Sequence, residues 1–280
     1  MNKKDNIFFI IGAPRSGTTA ITRILSMAEN AEVHVEQPPK MCIESRELYK
    51  GSALNPEEYL ITNKEPVIRQ TLDKGLIYGD KNPNSLLFIP FMNKLWNPKY
   101  IFMIRDGREV VRSAMDYHKY LGGGIFNMKE DDPVSDLVSP EQNYWDYSRF
   151  RPNAGTPLHD KWQKLSRFEK YCWYWNEYNT ILLKTISQLT TSTYMIVDIS
   201  KLNDLTCEKI YTFLGLTGYK AGNISSMISS RINSIEEKSG KAYSFPHWQN
   251  WSTLETEIFN LYCGETMKEL GFCHKSVLNT

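Results

Sequence analysis

Short apolar runs alternate with longer segments of helical period along most of the chain. Continuous runs at 7–11, 76–78, 100–104 and 193–198 predict buried strands, and alternation at 32–36 predicts a further, half-buried one. Helical patterns occupy much of the sequence between them, as in a mostly parallel sheet whose strands are joined through helices. The sequence therefore predicts an α/β fold, and because no repeat or linker interrupts it, a single domain over residues 1–280.

Apolar positions at helical spacing predict which face of each helix is buried. The predicted buried positions are Leu86, Leu87, Phe91 and Leu95 in a helix over 84–95; Phe168, Tyr171, Cys172, Trp175, Tyr178, Leu182 and Ile186 in a long aromatic helix; Leu205, Ile210, Phe213 and Leu214 in a helix over 204–214; and Leu254, Ile258, Leu261 and Leu270 in the last helix. Gly215 suits the end of the third helix, and Ser252 with Glu255 predicts a capping box on the fourth.

Two segments depart from this pattern. Residues 41–75 are mixed and polar, with helical hints near 45–48 and 56–59 and no recognisable chemistry. Residues 121–160 contain a glycine triplet, an acidic cluster, several prolines and four aromatic residues between Tyr144 and Phe150, without a sustained period. Since a long irregular segment inside a compact domain is commonly a lid or a binding insertion, we interpret 121–160 in that way, with an excursion without function as the alternative.

Composition narrows the class of protein only loosely. Hydrophobic residues make up 41% and charged residues 23% of the chain, and the net charge is +1, so there is no basic footprint for nucleic acid. The five cysteines are scattered and odd in number, which favours free thiols over a disulfide framework or a zinc site. No run reaches membrane-spanning length. We expect a soluble, cytoplasmic protein.

The first predicted strand leads into a glycine-rich turn at 12–17 with the sequence GAPRSG, and Thr18 and Thr19 begin a helix. Such a turn aims backbone N–H groups and the positive end of the helix dipole at one point, which suits phosphate or sulfate. The spacing from Gly12 to Gly17 is that of a triphosphate P-loop, but Thr18 replaces the lysine, and a cation comes earlier as Arg15. A short anion bound without metal therefore fits better than a metal-bound triphosphate; an ordinary glycine-rich turn is the alternative.

Charged residues follow other predicted strands where the ligand crevice of an open parallel sheet lies. Glu36 ends the second strand and Lys81 comes just after the third, so both are placed to face the same anion, with plain surface positions as the alternative. His34 shares the side-chain phase of Glu36, but a surface role is favoured for it.

Arg105 follows the apolar run 100–104, and Ser113 lies about two turns into the next helix. The arginine offers a fork of donors suited to phosphate, or else it pairs with Asp106 or Glu109. A Walker-B strand ending in Asp106 is a further interpretation, which the intervening Arg105 and the missing loop lysine disfavour.

The segments 12–19 (GAPRSGTT) and 105–113 (RDGREVVRS) together resemble the sulfotransferase family, whose enzymes use 3′-phosphoadenosine 5′-phosphosulfate (PAPS). The first resembles the family's 5′-phosphosulfate loop, and the second the strand and helix in which an arginine and a serine eight residues apart hold the 3′-phosphate. Similarity at 79–83, in the Trp175 helix and in the tail 263–272 extends the resemblance to the compact prokaryotic-type members. Residues 41–75 and 121–160 fall outside it.

The resemblance implies a P-loop-containing three-layer fold and sulfuryl transfer from PAPS to a hydroxyl of an acceptor, which is a glycan, phenol, small metabolite or peptide tyrosine. PAP is the product, no metal is required, and 121–160 becomes an acceptor-side insertion. The residues that it assigns to PAPS binding are Pro14, Arg15, Ser16, Gly17, Thr18, Thr19, Arg105, Ser113 and Lys241.

The resemblance also implies catalytic roles. Glu36 matches the general base of branches that carry arginine in the loop, such as the tyrosylprotein branch, and Lys81 resembles a lysine that contacts the transferring group. Arg15 would stabilise charge on the bridging and sulfate oxygens. His118 is a reserve base, because the cytosolic branch uses a histidine in that region, and His34 is a weaker candidate.

The chain departs from the family pattern at two places: Gly107 stands where proline is usual, and the late loop lacks the Arg-Lys-Gly triplet of the cytosolic enzymes. Two other functions stay open on sequence alone. A P-loop phosphotransferase would depend on Mg2+ and bind ATP, and a non-catalytic nucleotide-binding module would bind ligand without turnover.

Overall fold

A computed structural model describes residues 6–121, 148–220, 222, 225 and 235–272. Most of the predicted insertion, the side chain of His118 and Cys273 lie outside the described residues.

The strands are β1 (Ile7–Ile11), β2 (Ala31–Val35), β3 (Ile77–Lys81), β4 (Lys99–Ile104) and β5 (Tyr194–Asp198). The α-helices are α1 (Thr18–Leu25), α2 (Cys42–Lys50), α3 (Pro56–Tyr59), α4 (Glu65–Leu72), α5 (Ile89–Trp96), α6 (Gly107–Leu121), α7 (Pro157–Lys161), α8 (Arg167–Ile186), α9 (Asp204–Leu214), α10 (Ile235–Ser239) and α11 (Thr253–Glu269). A π-helical turn, Leu60–Lys64, joins α3 to α4, and a 3-10 turn, Pro83–Phe88, precedes α5.

The five described strands form one sheet in the order β2-β3-β1-β4-β5, and every described pairing is parallel. The predicted α/β fold with a mostly parallel sheet is therefore confirmed. Parallel neighbours need crossover connections, and the helices between the strands supply them.

The central strand β1 buries both of its faces. Phe9 packs into a core with the aromatic helix α8, while Phe8 and Ile10 point to the opposite side and pack with Ile21 and Ile24 of α1. Alternation with period two sends successive side chains to opposite faces, so a run that is apolar throughout must be covered on both. The result is a three-layer arrangement of helices, sheet and helices.

The long aromatic face is confirmed, because all seven predicted residues of α8 are buried. Ser166 begins this helix with a capping box, which the sequence analysis did not include. The predicted capping box of Ser252 and Glu255 on α11 is present, and Gly215 ends α9 with a φ of 74°.

The predicted buried faces of α9 and α11 are partly wrong. Leu205, Leu254 and Leu261 have exposed fractions of 58%, 65% and 80%. Helix α11 instead buries Phe259, Cys263, Thr266 and Met267, and α9 buries Cys207, Ile210, Tyr211 and Leu214. The contact faces mix thiol and hydroxyl side chains with large apolar ones, so the exposed leucines, which weigh heavily in a hydrophobicity pattern, do not mark the packed side.

The helix predicted over 84–95 is also shifted in phase. Its first part is the 3-10 turn, which has three residues per turn, so the side chains after it point differently from those of a continuous α-helix. Phe88, Ile89, Met92 and Trp96 are buried, while Leu87, Phe91 and Leu95 are only partly so.

Both irregular segments contain more structure than their polarity predicted. Residues 41–75 hold α2, α3, the π-helical turn and α4. The end of the predicted insertion is part of the core: Phe150 is buried and stacks on Tyr49 with ring centroids 4.5 Å apart, and α7 begins at Pro157. The described cysteines, Cys42, Cys172, Cys207 and Cys263, are buried and form no disulfide bonds among themselves. None of the described helices combines the length and apolar character needed to cross a membrane.

The two-sided burial of β1 predicts a large stability effect of Phe9→Ala. Removing this ring, which is fully buried, should lower the free energy of unfolding by about 3–5 kcal/mol in urea titrations. The control Leu261→Ala should change it by less than about 0.5 kcal/mol, because that leucine is exposed on α11. Equal costs for the two variants would contradict the packing described here.

Candidate active site

The predicted site residues lie at one edge of the sheet. Glu36 follows β2, Lys81 ends β3, the glycine-rich loop follows β1 and Arg105 follows β4, and these four strands are consecutive in the sheet. Strands are spaced about 4.8 Å apart, so the step from β2 to β4 is on the order of 14 Å. The edge is thus long enough to carry two groups of side chains.

The loop after β1 turns tightly through two residues with positive φ, Arg15 at 72° and Gly17 at 91°. The backbone N–H and the hydroxyl of Ser16 both donate to the carbonyl of Ala13, at 3.0 and 2.6 Å, and close the turn. A Cβ on Gly12 would lie 2.5 Å from the carbonyl oxygen of Met103, so only glycine allows β1 and β4 to approach here.

Helix α1 presents its N-terminus to this turn. Its N-cap is Gly17, which has no side chain to satisfy the first N–H groups, and its first turn holds no acidic residue. The exposed positive end of a helix dipole attracts anions, as the sequence analysis expected.

Arg15, Ser113 and Arg105 come together beside the loop. The Nε of Arg15 donates to the hydroxyl of Ser113 at 3.0 Å, and Nη1 of Arg105 donates to the carbonyl of Arg15 at 3.0 Å. Arg105 also lies 3.6 Å from the carboxylate of Glu109, so the alternative pairing from the sequence is present as well. The structure therefore groups Arg15 with the residues that the resemblance assigned to the 3′-phosphate.

Tyr117 and Lys238 adjoin this group. The guanidinium of Arg15 lies 4.7 Å from the ring centre of Tyr117 on α6, and Nζ of Lys238 lies 5.3 Å from the same ring centre. Burial lowers the pKa of Arg15, and the nearby charge of Arg105 lowers it further, against the opposing influence of Tyr243 and Tyr117. Clustered cations in a partly buried place attract an anion, which would relieve their mutual repulsion.

Glu36 and Lys81 form the second group. Nζ of Lys81 lies 2.6 Å from Oε1 of Glu36, with side-chain exposed fractions of 9% and 12%. The backbone N–H of Glu36 also donates to the carbonyl of Lys81 at 2.8 Å, which continues the β2–β3 pairing by one residue. The sequence analysis placed both residues at this edge, and the structure brings them into direct contact.

A buried ion pair supports the Glu36 segment from below. Lys64 and Asp80 are fully buried, with 2.8 Å between Nζ and Oδ2, and both hydrogen bond to the backbone of Gln37. Burial raises the pKa of the Asp80 carboxyl, while Lys64 and the Gln37 N–H favour its ionised form. Sequence reasoning missed this pair; a charged residue inside the buried strand at Asp80 was the available signal, but nothing pointed to Lys64.

In the segment 105–113, the contacts of Gly107 explain why proline does not stand at this position. Its N–H donates to the sulfur of Met267 at 3.3 Å, and a Cβ there would lie 3.0 Å from the ring of Trp175. Proline has no N–H and could not make the first contact. Its neighbour Asp106 accepts hydrogen bonds from the backbone N–H and the Nε of Arg108, both at 2.9 Å.

The remaining candidates lie elsewhere or outside the described side chains. His34 is half-buried, packs beside Tyr78 with ring centroids 5.5 Å apart, and has its pKa lowered by burial. Lys241 is exposed and lies 5.0 Å above the ring of Tyr120 on α6, on the side of the site where Lys238 contacts Tyr117. His118 belongs to α6, but its side chain is not described.

Comparison with known proteins gives one family. The model of the sulfotransferase domain matches residues 5–229. No curated protein matches the chain. One similar solved structure is the sulfotransferase domain from the curacin biosynthetic pathway, with 14% identity, a TM-score of 0.48 and coverage of 91% of this chain and 96% of that domain. Another is the sulfotransferase domain from the Synechococcus PCC 7002 olefin synthase, with 12% identity, a TM-score of 0.48 and coverage of 96% of this chain and 95% of that domain.

The loop geometry predicts that Gly17→Ala destabilises the protein. A Cβ there would lie 2.6 Å from the side chain of Ile199, and the left-handed backbone conformation disfavours alanine by about 1–2 kcal/mol. Gly264→Ala is the matched control, since this glycine lies within α11 with open space around it and alanine should gain about 0.5–1 kcal/mol. Stability is measured by thermal or urea unfolding, and a change of the same sign in both variants would contradict this description of the loop.

Proposed function

The chain belongs to the sulfotransferase-domain family, and from that premise we propose that it transfers a sulfuryl group from PAPS to an acceptor hydroxyl. The observation that carries the proposal is the arrangement at the sheet edge. A cationic group with a serine hydroxyl adjoins the N-terminus of α1, and a carboxylate–ammonium pair lies at the ends of the neighbouring strands.

The described residues fit a ligand with two anionic ends. The backbone of 14–19 at the start of α1 would hold the 5′-phosphosulfate, in the way that helix N-termini bind phosphate. Arg105 and Ser113 would hold the 3′-phosphate, with Arg15 between these regions. Lys241, which contacts Tyr120 on α6, would approach the nucleotide from the segment after α10. Lys238 is a second candidate there, because its ammonium contacts the same Tyr117 ring as Arg15.

Bound PAPS would supply the sulfuryl group and leave as PAP. Glu36 would accept the proton of the acceptor hydroxyl as its oxygen bonds to sulfur and the bond from sulfur to the phosphate oxygen breaks. Lys81 would hold the Glu36 carboxylate in one orientation and offer positive charge to the transferring group. Arg15 and the N-terminus of α1 would stabilise the charge left on the phosphate. Catalysis of this kind is mostly positioning and charge stabilisation, as in phosphoryl transfer.

A surface cavity of about 360 Å³ lies next to the segment that follows Glu36. It is lined by residues 38–41, Ile43, Glu44 and Tyr59. Its volume is in the range of small-molecule sites, and its lining begins at Pro38, two residues from Glu36 along the chain, which supports it as the entrance for the acceptor. The acceptor is a glycan, phenol, small metabolite or peptide tyrosine, and the proposed location of the enzyme is the cytoplasm.

The site favours sulfuryl transfer over a metal-dependent phosphotransferase. Asp106, the residue that a Walker-B strand would offer to Mg2+, is engaged by Arg108. A module that only bound nucleotide would have no use for the buried Glu36–Lys81 pair.

Ligand binding should discriminate these functions. In the presence of EDTA, PAP at about a hundred times its dissociation constant should add about 2.7 kcal/mol of stability in a thermal-shift assay. Ser113→Ala should weaken PAP binding by about tenfold or more, because it removes a hydrogen bond to a charged group. Ser187→Ala, at an exposed position, is the matched control. A thermal shift with Mg·ATP and none with PAP would exclude the proposed donor.

Glu36→Gln should lower turnover by about 10²–10⁴-fold, the usual contribution of a general base, without weakening PAP binding. Turnover is measured as transfer of label from [35S]PAPS to a panel containing a phenol, an oligosaccharide and a tyrosine peptide. Glu208→Gln replaces an exposed carboxylate on α9 and should leave turnover unchanged. If Glu36→Gln retains full turnover, the base is His118 or His34 instead.

A further inference from the structure

Lys64 and Asp80 form an ion pair that is fully buried directly behind the Glu36 segment. Their charged atoms are 2.8 Å apart and both side chains have an exposed fraction of 0%. Asp80 lies in β3, one residue before Lys81, and Lys64 ends the π-helical turn Leu60–Lys64. A π-helical turn changes the direction of the side chains that follow it and is frequently found at functional sites.

The pair holds one peptide from both sides. Nζ of Lys64 donates to the carbonyl of Gln37 at 2.9 Å, and the N–H of Gln37 donates to Oδ1 of Asp80 at 3.1 Å. The donor and the acceptor of Gln37 are therefore both bound to the same buried pair, whose charges are also bound to each other. This arrangement of Lys64, Asp80 and the Gln37 backbone is called the Gln37 clamp below.

Glu36 lies between the Gln37 clamp and the end of β3. Its φ is 54°, a conformation that residues other than glycine rarely adopt, and its N–H donates to the carbonyl of Lys81 at 2.8 Å. Its carboxylate reaches the ammonium of Lys81 from this position. An unfavourable backbone conformation persists only where its surroundings fix it, and the clamp fixes the next residue.

Stability alone does not explain a buried ion pair. The cost of removing two charges from water commonly exceeds their attraction, and well-packed neutral residues often stabilise such a place as well or better. A buried pair can instead select one conformation of the backbone around it. Here the selected conformation is the one that points Glu36 at Lys81.

We propose that Lys64 and Asp80 are positioning residues of the transfer reaction, which fix the backbone at Gln37 so that Glu36 is held against Lys81 and aimed at the acceptor hydroxyl. The inference rests on the proposed function, because it concerns the residue assigned there as the base. It assigns a role to residue 64, in a segment that carried no chemistry by sequence.

The test uses Lys64→Met combined with Asp80→Asn, which leaves no unpaired charge in the interior. Turnover should fall by about 10- to 100-fold, since small misplacements of catalytic groups have effects of that size. The dissociation constant of PAP should stay within about twofold, because the clamp is separate from the Arg105–Ser113 group. The melting temperature should stay equal or rise. The matched control is Lys94→Met combined with Glu57→Gln. It removes a surface ion pair in which Nζ of Lys94 lies 2.7 Å from Oε1 of Glu57.

Repeating the double substitution in the Glu36→Gln background distinguishes a positioning role from a merely structural one. Residues that act only through Glu36 should lower the residual turnover no further there, whereas a general loss of structure would lower it in both backgrounds. Additive losses would overturn the positioning role. Full turnover of Glu36→Gln by itself would overturn the assigned base, so failure of the proposed function is recognised separately.

Amide hydrogen exchange gives a readout that needs no acceptor. In the unsubstituted protein, the N–H of Gln37 should be among the protected amides, and the Lys64→Met/Asp80→Asn protein should exchange it about tenfold faster or more. An unprotected Gln37 amide in the unsubstituted protein would overturn the clamp, even if the double variant failed to fold. An unchanged exchange rate in a folded variant would overturn it equally.

Discussion

Parallel pairing brings the carboxyl ends of β2, β3, β1 and β4 to one edge of the sheet, where the glycine-rich loop, Glu36, Lys81 and Arg105 are attached. The close approach of β1 and β4 depends on Gly12, where any Cβ would meet the carbonyl of Met103. Without this approach, Arg105 could not reach the carbonyl of Arg15, and Arg15 could not reach Ser113. The backbone therefore sets the distance between the loop and the second motif before any ligand is present.

Two groups of charge share this edge and have different surroundings. The Arg15 group combines cations, aromatic rings and a helix N-terminus, so it is suited to receive negative charge. The Glu36–Lys81 pair is neutral as a unit and is supported from behind by Lys64 and Asp80. Under the proposed function, the first group holds the donor nucleotide and the second orients the proton acceptor. Under the same proposal, their separation along the sheet would let one nucleotide span the first group and present its sulfuryl group to the second.

Most of the fold, and the position of the candidate residues at one sheet edge, could be predicted from the sequence, because strands buried on two faces and glycine-rich turns have local signatures. The adjacent residues Phe8 and Phe9, both buried, indicate a strand that is covered on its two faces. The buried face of α11 was misassigned because Cys263 and Thr266, not the exposed leucines, contact α8. The burial of Lys64 could not be predicted from the sequence for a related reason. Its partner Asp80 is 16 residues away, and only the folded π-helical turn directs the lysine side chain inward. Contacts between distant residues leave no period in a single sequence.

Calorimetric binding of PAP and of AMP in the presence of EDTA would probe the site most sharply, since these two ligands differ only by the 3′-phosphate. A site with Arg105 and Ser113 around that phosphate predicts that PAP binds at least about tenfold more tightly than AMP, because charged hydrogen bonds contribute on this scale. Equal affinities, or binding of neither ligand, would contradict the account of this edge as a PAPS site.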